Sequence, residues 1–174
     1  MAVFGLRWYN IKVKFTIKNP VIKKIFQAVA VAGFGFILLN LTFLLDFLYQ
    51  SSLDRLIRIF TPADINMDMG WRWFPPARHA VFMVIVILIS RFVFRSKLGA
   101  IYKAIFMTVP LAVIFATIGI LFYRFPPAVY LLGGLFGFGV LYYLYRTKQS
   151  WIYYYTLILI GVTMLCVVIF GVEI

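Results

Sequence analysis

Apolar residues in this chain come in runs of about 18 to 25, and that length constrains the fold more than any other feature. A helix of about 20 apolar residues crosses a hydrocarbon core of about 30 Å. Five such runs can be marked out, at 25–47, 77–94, 98–123, 128–145 and 152–171. Composition agrees: of 174 residues, 64% are hydrophobic and only 13% charged, too few to coat a water-soluble domain of this size. The expected fold class is therefore an all-α polytopic integral membrane protein with five transmembrane helices. Residues 1–24 form a basic N-terminal segment, and 25–174 form a single transmembrane domain.

The formal net charge is +12. In a membrane chain this needs no nucleic acid, because inner-face loops collect Lys and Arg and anionic headgroups attract them. Residues 1–24 carry Arg7, Lys12, Lys14, Lys18, Lys23 and Lys24 with no acid, so the N-terminus is expected to be cytoplasmic. Arg91, Arg95, Lys97 and Lys103 place the turn after the second span inside, and Arg146 and Lys148 do the same after the fourth. Five crossings then leave the C-terminus extracytoplasmic, most simply in the cell membrane. No small-residue cleavage site stands at the right distance, so the first span is expected to be an uncleaved signal anchor. The single cysteine, Cys166, excludes an intrachain disulfide or a CxxC pair.

From Ile11 to Lys18 apolar and polar residues alternate. That is a strand period, although an amphipathic segment lying on anionic lipid is the simpler expectation. The first span is rich in small residues, and the Ala28/Ala32 spacing suits close helix packing. Asn40 and Asp46 are intramembrane polar residues of the same span; each is expected to face protein, through an interhelical hydrogen bond or a substrate. Residues 51–60 read as a short interfacial helix. Ser52 would be its cap, Leu53, Leu56, Ile57 and Phe60 its apolar face, and Asp54 and Arg58 a pair. This helix would lie in an extracytoplasmic loop, 50–76, which also holds Asp64, Asp68, Arg72 and two tryptophans.

Two blocks recur at an offset of 51 residues. Phe74-Pro75-Pro76-Ala77 opens one span and Phe125-Pro126-Pro127-Ala128 another. Arg95-Ser96-Lys97 closes the first and Arg146-Thr147-Lys148 the second. Spans 2–3 and 4–5 thus read as a possible parallel hairpin repeat, an arrangement found in some transporters. Selection for membrane position alone, with Pro in a first turn and a basic residue at the inner end, would also produce both blocks. Span 4 adds Gly133 and Gly137, a GxxxG spacing expected to pack closely, with span 1 as one candidate partner.

Chemistry-bearing residues are few. Every lysine falls on the inner side, whereas the outer basic residues are all arginine: Arg55, Arg58, Arg72, Arg78 and Arg124. Arg72, Arg78 and Arg124, together with the N-termini of spans 2 and 4, could converge on an anionic headgroup. They could equally pair with Asp54, Asp64 and Asp68 or with bulk lipid phosphate. His79 is the only histidine. With Asp64 and Asp68 it is a weak catalytic candidate, since no Ser/His/Asp order, phosphate loop or HExxH accompanies it. No metal site and no cofactor is expected.

Three readings follow. The first is a non-enzymatic subunit or accessory scaffold of a larger membrane complex, partnered by membrane lipids and by other subunits or itself. The second is a transporter or flippase-like protein for a lipid or anionic amphiphile. The third is an outer-face lipid-phosphate enzyme.

Overall fold

The computed structural model describes residues 19–60 and 74–170. Its first element shows how the sequence sets the fold. Asn19 caps the helix, its Oδ1 accepting a 2.9 Å hydrogen bond from the Val21 amide, and Pro20 occupies the first turn, where its missing N–H costs nothing. From Gly35 to Pro62 no glycine or proline interrupts the chain. The result is one helix, α1 (Pro20–Phe60), of 41 residues. At about 1.5 Å per residue it is roughly 60 Å long, twice a hydrocarbon core.

This corrects the expectation of a separate interfacial helix at 51–60. Those residues are the last turns of α1, because no residue at 48–50 breaks the helix. Ser52 caps nothing; its hydroxyl donates to the Leu48 carbonyl one turn back.

The remaining elements are α2 (Phe74–Arg95), α3 (Ala100–Phe122), α4 (Pro126–Arg146) and α5 (Trp151–Phe170). All five helices are long and apolar enough to cross a membrane. Half of the apolar window of α3 is buried inside the protein, against 6% of that of α4, which marks α3 as the hub. It touches all four other helices. Around it α2 meets α1, α1 meets α5 and α5 meets α4, but α4 and α2 do not meet, so the ring is open on one side. Nor does α4 touch α1. Within the chain, Gly133 and Gly137 face α3 instead of span 1: a Cβ on either would meet the ring of Phe115, at 3.6 and 3.9 Å.

Lipid gives no hydrophobic drive for helix association, so close packing and polar contacts must supply it. The tightest approach is between α1 and α3. Gly35 is buried, and a Cβ there would lie 2.7 Å from Thr108 Cγ2. The Thr108 hydroxyl donates to the Ile105 carbonyl and reaches the Gly35 carbonyl only at 3.5 Å, the limit for a hydrogen bond. Steric fit therefore dominates this contact. Thr156 of α5, fully buried, stands in the same relation to the Ala104 carbonyl of α3, at 3.4 Å. Ala28 and Ala32 are half-buried on either side of the fully buried Val31.

The two basic turns differ in construction. The Ser96 and Thr147 amides donate alike, to the carbonyls of Phe92 and Tyr143, but the Ser96 hydroxyl donates to Val93 at 2.6 Å whereas that of Thr147 donates to Tyr143 at 2.7 Å and reaches Leu144 only at 3.4 Å. After α4 the chain continues into a Schellman motif: Gln149 N–H donates to Leu144 and Lys148 N–H to Tyr145. Lys148 is left-handed there, at φ 49°. After α2 the Lys103 ammonium caps the end instead, donating to the Phe94 carbonyl at 2.8 Å.

Candidate functional site

Thr42, Asp46, Gln50 and Asp54 recur every fourth residue along α1. The spacing puts them on one face, and α2 packs against it. Asp46 and His79 are both buried, at 6% and 4% exposure. His79 Nδ1 lies 2.9 Å from Asp46 Oδ2, which also accepts from the Gln50 amide at 3.0 Å. Asp46 Oδ1 and His79 Nε2 are buried without a hydrogen-bond partner. Phe82 and Tyr49 wall the pair, the Phe82 centroid standing 6.4 Å from the imidazole and 6.0 Å from the Tyr49 ring. Further toward the end of α1, Arg78 ion-pairs with Asp54, whose side chain is half exposed.

This arrangement redistributes the residues singled out in the sequence. Asp46 faces protein, against His79 of α2. Asp54 pairs across to Arg78 of α2. Arg78 is engaged by Asp54. Arg124 lies in the turn before α4, its Nε donating to the Tyr123 hydroxyl at 3.2 Å, a bond that raises its pKa further above its ordinary value. The helix that carries Arg78, α2, and the helix that follows Arg124, α4, are not in contact. Asp64, Asp68 and Arg72, like the alternating stretch from Ile11 to Lys18, lie outside the described residues. Among the described residues no group of three or more His, Cys, Asp or Glu could hold a metal ion.

Asn40 was expected to face protein, like Asp46, and among the described residues it does not. It sits at the middle of α1 on the exposed face, among Phe36, Ile37, Leu41 and Leu44, all at least half exposed. Its Nδ2 donates 2.8 Å back to the Phe36 carbonyl of its own helix. Among the described residues no other helix covers it.

A feature missed in the sequence is the groove where the ring around α3 is open. It has a volume of about 610 Å³, with α2 and α4 as walls and α3 as floor. Arg91, Lys103 and Gln149 lie at its basic end, and Pro110, Ile114 and Phe136 line its apolar depth. Pro110 lies inside α3 and donates no helix hydrogen bond.

The described residues define five long helices apolar enough to cross a membrane, four of them arranged around the fifth. Comparison with protein-family models, curated proteins and solved structures finds no match that would name a family or carry a function to it.

Proposed function

We propose that this chain is a non-enzymatic multi-pass membrane protein that works as a small subunit or accessory scaffold of a larger membrane complex. Asn40 carries the reading. A carboxamide at the centre of a span and facing lipid is unfavourable, because one bond to its own backbone leaves the rest of its hydrogen-bonding capacity unmet in hydrocarbon. A helix from another polypeptide, or from a second copy, supplies the missing partner. Such a bond contributes on average only about 0.6 kcal/mol, so its role is to fix which helix docks and in what register. The sparsely covered α4 offers a second, glycine-containing surface, with Gly134 and Gly139 open and Leu131, Leu135 and Phe138 exposed.

In this reading the basic turns around Ser96 and Thr147 face the cytoplasm of the cell membrane, as does the N-terminus, and the C-terminus lies outside. The α2–α3 and α4–α5 hairpins are a parallel repeat, which the matching amide bonds of Ser96 and Thr147 support. The test is Asn40→Leu in the full chain, read by native gel size and by crosslinking from an exposed neighbour such as Ile37. Loss of the larger species with an unchanged monomer is expected. An unchanged assembly would sink the reading.

A second reading, a transporter or flippase-like protein for a lipid or anionic amphiphile, draws on the groove beside α3. Of the residues in the enzyme reading only His79 is described, and it is turned inward onto Asp46.

A further inference from the structure

We infer that the groove between α2 and α4 is a binding site for one anionic phospholipid of the leaflet on the side of the basic turns. The inference goes beyond the subunit reading and needs only that the helices lie in lipid.

Depth is the first argument. The groove extends along α3 from Lys103 to Ile114. Eleven residues at about 1.5 Å each make roughly 16 Å, and half of a hydrocarbon core of about 30 Å is about 15 Å. The groove is thus as deep as one leaflet. Its volume of about 610 Å³ also falls in the range of roughly 300–1,000 Å³ typical of ligand sites.

Chemistry is the second argument. Polarity is graded along the groove as it is along a lipid. Ile114, Pro110 and Phe136 line the deep part, and Arg91, Lys103 and Gln149 gather at the mouth. The Lys103 ammonium spends one of its three N–H donors on the Phe94 carbonyl. The other two, with the exposed Arg91 fork, are free for a phosphate. Among the described residues no carboxylate lines the groove to compete for them. The Schellman turn at Lys148 brings Gln149 back beside Leu144, which is how an amide joins the two cations at the mouth.

The third argument is the topology. Because α2 and α4 do not touch, the floor on α3 is reached sideways from the bilayer. An acyl chain can enter without unfolding any helix contact.

The test uses the purified full chain, stripped of lipid by detergent exchange. It is titrated with phosphatidylglycerol or phosphatidylcholine carrying the same acyl chains and read by native mass spectrometry. Phosphatidylglycerol is expected to bind in preference by roughly thirtyfold, the scale of two basic residues at an anionic headgroup. Arg91→Gln alone, which leaves the Lys103 cap in place, should lower the preference severalfold. Arg91→Gln with Lys103→Gln should bring it close to one, and Arg124→Gln at the opposite end should leave it intact. Val140→Trp, which fills the groove, should reduce occupancy by both lipids, and inorganic phosphate should displace neither. An undiminished preference in the double variant, unchanged binding in Val140→Trp, or displacement by inorganic phosphate would each overturn the inference. Asn40→Leu tests the subunit reading separately and should not alter lipid retention.

Discussion

The two sides of α3 are built on different rules. On the side of α1, backbones approach until Gly35 admits no Cβ. A polar cluster around Asp46 and His79 then locks α1 to α2. On the side of α4, glycines face a phenyl ring with ordinary spacing to spare, and the rim toward α2 is open. A glycine in a membrane helix is therefore not evidence of close packing by itself. What matters is whether a backbone or a stiff side chain lies opposite, as Thr108 does for Gly35 and the edge of Phe115 does not for Gly133.

The contrast can be broken at four points. The largest effect belongs to the buried pair. Asp46→Ala or His79→Ala leaves a polar group without its partner inside the protein, and losses of about 3–5 kcal/mol are the scale for such sites. Thermal aggregation of the detergent-purified chain should show it, and Asp46→Leu with His79→Phe should recover most of the loss. Equal losses in the double and single variants would mean that the pair is not coupled.

Next is Gly35→Ala. Thr108 is buried and β-branched, so it yields little, and overpacking of this kind costs about 1–3 kcal/mol. Thr108→Ala removes the offending methyl and should rescue it; failure to rescue would place the strain elsewhere. Lys148→Gly should act in the opposite direction. It relieves a left-handed lysine and should stabilise by about 1 kcal/mol, seen as a higher melting temperature. Smallest is Gly133→Ala with Gly137→Ala. Both Cβ atoms would meet ordinary van der Waals contact, so the monomer should be unaffected or slightly more stable. A marked loss would show that α4 sits closer to its neighbour than described.

Much of the architecture was legible in the sequence, because helix length and apolarity answer to the bilayer alone. The four later helices begin and end within a few residues of their expected bounds, guided by Pro126-Pro127 and the basic turns. The end of α1 was misread because Ser52 looks like a cap and Asp54 and Arg58 like the polar face of a separate helix, whereas no glycine or proline stands there to stop α1. The site was legible in part. Asp46 and His79 stood out singly, yet their pairing depends on how α1 and α2 are registered. Two signals were available: the four-residue recurrence of Thr42, Asp46, Gln50 and Asp54, and the heptad spacing of Gly35, Thr42 and Tyr49. The groove had no signal at all, since it arises from the absence of contact between α2 and α4, and no residue encodes an absence.

The most direct measurement is labelling of single cysteines in intact membranes, with Cys166 replaced by alanine. Ser96→Cys and Thr147→Cys should react with an impermeant maleimide from the same face, and Arg124→Cys from the opposite one. If Ser96→Cys and Arg124→Cys were labelled from the same side, α3 would not cross the bilayer, and the hub, the groove and the leaflet assignment would fall together.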